Sequence, residues 1–143
     1  MTLKYSRQRQ AVWDFIRERH DHPTASTVYE GVRQIYPNIS LGTVYRNLML
    51  LKDMGKLSTI EIGDNAIHFD PNISDHEHFV CRRCGSLADL DTYDLKAVRT
   101  RLASAAAGRE IDTYSTIYFG ICRKCLAKTT EKAETGEIHS VES

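Results

Sequence analysis

The four cysteines of this chain form two identical C-x-x-C pairs, Cys81/Cys84 and Cys122/Cys125, and no cysteine is left over. A C-x-x-C turn directs two thiolates at one ion, so two such turns complete a tetrahedral site. Soft thiolate ligands favour zinc, and a site closed by four of them leaves no position for a substrate. The pattern therefore predicts a structural Zn(II) site, which would tie the start of a C-terminal domain to its last strand.

Two other interpretations of these cysteines are redox dithiols and unrelated buried thiols, and neither explains two identical pairs. The sequence shows no N-terminal apolar segment of the signal-peptide type and no apolar run long enough to span a bilayer. We therefore expect a cytoplasmic protein without a membrane partner. Thiols stay reduced in the cytoplasm, which favours metal binding over disulfides.

Residues 1–69 have the pattern of three helices followed by a β-hairpin. Thr24 and Ser40 are candidate N-caps of the second and third helices. The apolar positions with helical spacing are Val12, Phe15 and Ile16 in the first helix, Val28, Val32 and Ile35 in the second, and Leu41, Val44, Leu48 and Leu51 in the third. β-rich runs at 57–62 and 67–69 flank a Gly-Asp-Asn turn. This order predicts a winged helix-turn-helix.

The rest of the chain has a different pattern. Residues 70–75 read as a hinge and 76–128 as a second domain. Within it we predict short strands around the first cysteine pair, a helix over 93–107 and a longer strand over 111–121. Residues 129–143 are polar and are expected to be disordered. The predicted fold class is α+β, with an N-terminal winged helix-turn-helix and a C-terminal α/β domain.

The exposed face of the predicted third helix indicates nucleic-acid binding. Lys and Arg together number 19 and so do Asp and Glu, so net charge alone does not indicate a polyanionic partner. A recognition helix combines small residues for close approach with Arg and Tyr for bases and phosphates. The candidate DNA contacts are Ser40, Gly42, Tyr45 and Arg46. The alternative is a solvated helix in a generic three-helix core, and the hairpin favours DNA binding.

Histidines and carboxylates cluster just before the first cysteine pair. On an extended segment His76 and His78 point the same way and can bind one ion. Asp70 at the hinge and Asp89 on the following strand are candidate oxygen ligands, and His22 lies in a break between helices. Nitrogen and carboxylate ligands suit Fe(II), Mn(II) or Zn(II). The alternative is a chance surface pair of histidines, and spacing alone does not decide between the two.

The remaining acidic and histidine side chains are not predicted to be ligands. Asp75 and Glu77 are expected to be solvated or to support the ligands from outside the coordination shell. The histidines without a partner at a suggestive spacing are His20, His68 and His139.

Several short motifs together resemble the ferric uptake regulator family over about residues 5–127. They are Gln8-Arg9, His22-Pro23-Thr24-Ala25, Thr43-Val44-Tyr45-Arg46-Asn47-Leu48, Phe69-Asp70, His76-x-His78, the C-x-x-C-Gly turn and the late C-x-x-C. The resemblance implies a homodimer whose C-terminal domain dimerises and whose metal-loaded form binds an inverted-repeat operator and represses. It also implies a regulatory Fe(II) or Mn(II) site, whose ligands would be His22, Asp70, His76, His78 and Asp89.

Three residues distinguish this chain within the family it resembles. Asp at positions 70 and 89 resembles the pattern of the peroxide-sensing (PerR) branch. At the position of Asp89, iron-uptake regulators typically carry Glu. Zinc-uptake regulators usually recruit a cysteine to the sensory site, and none is spare here. His68 stands where a basic residue is common, at the end of the wing.

We therefore predict a peroxide-responsive repressor. In this interpretation peroxide reacts at Fe(II) in the regulatory site, oxidises His22 or His76, and so releases the repressor from DNA; metal and peroxide are its only small-molecule partners. One alternative is an iron- or manganese-uptake regulator that senses metal reversibly. The other is a metallohydrolase, but the sequence shows no separate general base or nucleophile pair, so we predict that the chain is not an enzyme.

Overall fold

The computed structural model describes residues 3–90, 95–112 and 114–134. The chain divides into two compact units, Met1–Asp75 and His76–Ser143. The division falls at the end of the predicted hinge, residues 70–75. No helix in the described ranges is long and apolar enough to cross a membrane.

The first unit contains three helices and a two-stranded sheet. Its elements are α1 (Arg7–Ile16), α2 (Ala25–Val32), α3 (Leu41–Asp53), β1 (Ser58–Ile60) and β2 (His68–Asp70). Each helix begins after a hydroxyl residue, Ser6, Thr24 or Ser40, whose side chain accepts a hydrogen bond from the backbone N–H three residues later. These caps satisfy N–H groups that have no partner within the helix, and so they set where each helix starts.

The core of the first unit is built from the apolar stripes of the three helices and from the wing. Its buried residues are Val12, Ile16, Val28, Val32, Ile39, Val44, Leu48, Leu51, Leu57 and Phe69. Two predicted core positions are wrong, because Ile35 is 69% exposed and Leu41 is 47% exposed. Ile35 lies beyond the end of α2, where helical spacing no longer directs its side chain inward. Leu41 is the first residue of α3, one turn before the buried stripe begins.

Strands β1 and β2 pair antiparallel, from Ser58 opposite Asp70 to Ile60 opposite His68. Strand β1 is shorter than the predicted run over 57–62, whereas β2 has the predicted length but lies one residue later than 67–69. The turn between them has a positive φ at Gly63 and at Asn65, conformations that favour these two residue types. The hairpin therefore forms the wing that the sequence predicted.

In its described residues the second unit has a three-stranded sheet and two helices. Its elements are β3 (Glu77–Cys81), β4 (Leu87–Leu90), α4 (Leu95–Ala105), β5 (Ile117–Gly120) and α5 (Arg123–Glu134). The strand order is β4-β3-β5, with β3 antiparallel to β4 and parallel to β5. The central strand β3 thus runs directly from the histidine cluster to the first cysteine pair.

Two sequence predictions for this unit need correction. The strand predicted over 111–121 is confined to Ile117–Gly120, because β5 pairs with a β3 strand only five residues long. Residues 129–134, expected to be disordered, continue helix α5, since alanine, lysine and glutamate in this stretch favour helix over coil. Positions 93–94 of the predicted helix and positions 135–143 of the predicted tail lie outside the described residues.

Candidate metal centres and DNA-reading helix

The four cysteine sulfurs converge within the second unit. Cys81 ends β3, Cys84 follows in the next turn, and Cys122 and Cys125 lie between β5 and the first turn of α5. Their four sulfur atoms all lie within 4.8 Å of one another, and the Cys84 and Cys122 sulfurs are 3.7 Å apart. Two ligands of a tetrahedral zinc ion with Zn–S bonds of about 2.3 Å are about 3.8 Å apart. The thiols therefore fit Zn(II).

The pKa values of these thiols are shifted in opposite directions by their surroundings. Backbone N–H groups of Cys84 and Cys122 donate to the sulfur of Cys81 at 3.5 and 3.3 Å, and they lower the pKa of that thiol to about 6. Burial raises the pKa of the Cys125 thiol to about 12. A thiolate at Cys81 is thus prepared by backbone donors, whereas a thiolate at Cys125 requires a nearby cation. This donor set is suited to a bound metal ion.

The second unit also brings together His76, His78 and Asp89. The pairing of β3 with β4 places His78 opposite Asp89. One carboxylate oxygen of Asp89 lies 3.1 Å from Nε2 of His76 and 3.4 Å from Nε2 of His78. The two imidazole rings have centroids 4.5 Å apart. The predicted histidine pair therefore does share one face, and a carboxylate faces both rings.

Glu77, between the two histidines, is not solvated, although solvation was one of the two alternatives predicted for it. It was expected to be solvated or outside the coordination shell, but only 4% of it is exposed. Side chains alternate along a strand, so Glu77 points away from the face of His76 and His78. It accepts a hydrogen bond from Tyr118 on β5, which raises the pKa of the Tyr118 hydroxyl. The parallel pairing of β3 with β5 brings Tyr118 next to Glu77. No spacing in the sequence indicated this contact.

The first unit holds two more predicted ligands, His22 and Asp70. Nε2 of His22 lies 3.2 Å from a carboxylate oxygen of Asp70, and the two residues are 1% and 2% exposed. Asp70 ends β2, and His22 lies in the break between α1 and α2 with a φ of 51°. An imidazole and a carboxylate buried together provide nitrogen and oxygen donors, which suit Fe(II), Mn(II) or Zn(II).

His20 and His68, the other histidines that the structure describes, do not join these groups. His20 is exposed, and His139 lies outside the described residues. His68 lies on β2 and contacts the segment that carries His22, so sequence spacing missed its role in the wing.

The predicted recognition helix presents its polar face to solvent. Ser40 caps α3, while Tyr45 and Arg46 are exposed in its first two turns. Nη2 of Arg46 donates to the Thr43 hydroxyl at 3.1 Å. At Gly42 the nearest side-chain atom would be 3.9 Å from an added Cβ, so the helix surface is open there. Such a surface can approach a DNA groove closely.

An apolar groove of about 420 Å³ lies beside this helix in the first unit. Its lining includes Leu41 and Tyr45 of α3 and Ala66 and Ile67 of the wing. Leu41, which was predicted to be a core residue, lines this groove instead. The helix and the wing thus share one continuous surface.

Comparison with known proteins decides the family. A model of the ferric uptake regulator family matches residues 1–119. The chain belongs to the ferric uptake regulator family. Members of this family are metal-responsive regulators that act as DNA-binding dimers, and the α+β fold predicted from the sequence is confirmed.

Several individual proteins of the family are similar to this chain in sequence or in structure. The peroxide-responsive repressor PerR of Staphylococcus aureus strain Mu50 is 32% identical over 126 residues, which are 88% of this chain and 84% of that protein. The Campylobacter jejuni peroxide stress regulator is 31% identical with a TM-score of 0.68, over 82% of this chain and 88% of that one. The Helicobacter pylori ferric uptake regulator Fur has a TM-score of 0.74 at 21% identity, over 87% and 83% of the two chains, and shows the shared fold.

Proposed function

We propose that this chain is a transcriptional repressor that binds operator DNA as a homodimer when loaded with metal and is inactivated by peroxide. The observation that carries the proposal is the short carboxylate of Asp89 facing both His76 and His78. The family resemblance associates Asp at this position with peroxide sensing. The named relatives that are more than 30% identical support the same branch.

The regulatory metal would take ligands from both units. His22 and Asp70 provide one imidazole and one carboxylate, and the second unit provides His76, His78 and Asp89. Neither set alone provides the five ligands that the family resemblance implies. A metal ion that needs both sets favours one arrangement of the two units, and DNA binding would then depend on metal.

The histidines are the expected target of oxidation. Bound Fe(II) supplies the one-electron chemistry that activates peroxide. His22 is almost completely buried and His76 is largely so, and each holds its imidazole beside a carboxylate ligand. Peroxide activated at a metal held by these residues would lie closer to their imidazole rings than to solvent-exposed side chains. Loss of that ring as a ligand would loosen the site and release DNA, without catalytic turnover.

The cysteine site would be structural. It joins the end of β3 to the start of α5 within one unit, and its four thiols leave no position for another ligand. We propose that Zn(II) bound there stabilises the dimerisation domain and takes no part in sensing. A cytoplasmic location follows from the DNA partner.

A reversible iron- or manganese-uptake regulator is the second candidate. Arg46 favours it, since the family resemblance associates Arg at this position of the recognition helix with iron regulators and Asn with some peroxide sensors. A metallohydrolase would use the same histidines and carboxylates for turnover, and hydrolysis assays with the Mn(II)-loaded protein should show none.

Mass spectrometry of the metal-loaded protein before and after mild peroxide tests the proposal. We expect the peptide carrying His22 or His76 to gain one oxygen atom with Fe(II) and none with Mn(II). Operator binding should be lost in parallel. Unmodified histidines in an Fe(II)-loaded protein that stays on DNA would leave the reversible metal sensor as the function.

A further inference from the structure

The segment that carries His22 is bound along the second strand of the wing. The backbone N–H of Phe69 donates to the carbonyl of Pro23 at 2.9 Å, and Thr24 forms a β-bridge with His68. His22 itself has a φ of 51°, a left-handed conformation that a residue other than glycine adopts only where its surroundings hold it. The wing is therefore part of what holds His22 in place.

His68 connects this segment to the turn of the wing. Its Nδ1 lies 2.9 Å from the carbonyl oxygen of His22, and its Nε2 lies 2.7 Å from a carboxylate oxygen of Asp64. Each ring nitrogen of His68 therefore lies within hydrogen-bond distance of a different oxygen acceptor. The other oxygen of Asp64 accepts from the backbone N–H of Ala66 at 3.2 Å. A continuous chain of hydrogen bonds thus runs from His22 to the wing turn.

Two side chains of β2 reach His22 from the same strand. Residues two apart in a strand share a face, and His68 and Asp70 are two apart. Asp70 contacts the imidazole of His22, while His68 contacts its backbone carbonyl. A movement of Asp70 or His22 would therefore shift strand β2, which also carries His68.

We propose that His68 is a positioning residue that transmits metal occupancy at His22 and Asp70 to the wing turn, residues 63–66. The inference rests on the proposed regulatory site. A metal ion that fixes the His22 ring also fixes its backbone, and His68 and Asp64 carry that restraint into the turn. The wing shares a groove with the recognition helix, so a turn already ordered loses less conformational entropy when DNA binds.

The test uses the full chain with Mn(II) as the probe. His68→Gln leaves one donor group for two acceptors, and Asp64→Asn leaves one side-chain oxygen for the two groups that now face separate oxygens, so each variant weakens one half of the bridge. His68→Arg offers donors to both acceptors and is the conservative rescue. Asp53→Asn, at an exposed carboxylate at the end of α3, is the matched control. The measurements are Mn(II) affinity, hydrogen exchange of residues 63–66 with and without Mn(II), and affinity for a duplex selected by the wild-type protein.

In the wild type and the control, Mn(II) should slow exchange in residues 63–66. In His68→Gln and Asp64→Asn this slowing should be lost while Mn(II) still binds, and metal-dependent DNA affinity should fall about 5- to 10-fold, at the low end of typical coupling between sites. His68→Arg should restore both. Asp64 is partly exposed, so its variant serves even if His68→Gln misfolds.

Two results would overturn the inference. In the first, both variants bind Mn(II) and keep the slowing at the wing. In the second, both lose Mn(II) binding together with the slowing, which would make His68 only a support for the ligands. Failure of the proposed function is a different result, since the wild type itself would then show no metal-dependent DNA binding.

Discussion

The two groups of metal-ligating side chains differ in how far apart their elements lie in the chain. The four cysteines belong to one unit and are held by a single strand pairing and the first turn of α5. The candidate histidine and carboxylate ligands are divided, with His22 and Asp70 in one unit and three others in the next. A metal site contained in one unit would stabilise that unit, whereas the proposed regulatory site, with ligands from two units, would couple metal binding to the relation between units.

The largest expected effect is removal of a thiolate. Cys122→Ser should abolish zinc binding and unfold much of the second unit, since structural zinc contributes about 10–16 kcal/mol in small zinc domains. Zinc content and the thermal unfolding midpoint measure this outcome. Asp89→Ala is the contrasting variant and should keep its zinc. A stable, zinc-free dimer in Cys122→Ser would remove the structural role.

The next largest effect is removal of a divided-site ligand. Asp89→Ala deletes the carboxylate that faces both histidines, so Mn(II) affinity should fall by more than the 10- to 100-fold typical of losing an outer-shell partner. Titration of Mn(II) followed by electron paramagnetic resonance measures the loss. The unfolding midpoint should stay near the wild-type value. If stability falls as far as in Cys122→Ser, the contrast between the two sites is wrong.

Arg46→Ala should separate DNA reading from both metal sites. If Arg46 reads a guanine, its loss should cost about 1–3 kcal/mol and relax the base preference at one position. Zinc content and Mn(II) affinity should not change. Binding to matched and mismatched duplexes at several salt concentrations measures the effect. Equal weakening on all sequences with a smaller salt slope would instead make Arg46 a phosphate contact.

The smallest effect on affinity is expected from Asp89→Glu. The longer carboxylate should keep Mn(II)-dependent DNA binding within about threefold, a change of less than 1 kcal/mol. Because the longer carboxylate would coordinate Fe(II) differently, oxidation of His22 or His76 should nevertheless be slower. Mass spectrometry after a timed peroxide exposure measures the rate. Oxidation as fast as in the wild type would show that carboxylate length does not select the peroxide branch.

Features that depend on neighbours in the chain were predictable from the sequence. The hydroxyl caps Ser40 and Thr24 mark the helix starts, because capping acts over three residues. The C-x-x-C pairs predicted four converging thiols, and His76-x-His78 predicted two imidazoles on one face. In each case the geometry follows from a short stretch of backbone.

Features that depend on distant partners were decided only by the tertiary structure. Glu77 is buried because β5 brings Tyr118 to it, and His68 bridges Asp64 and His22 because the wing folds against the break after α1. The length of β5 was likewise set by its partner strand β3. The sequence by itself determined the two cysteine pairs, the starts of α2 and α3 and the order of elements in the first unit, since these rest on local spacing; it did not predict α5. Burial, strand ends and the partners of polar side chains needed the tertiary structure, because a strand or a buried charge is stabilised by residues that lie far away in the chain.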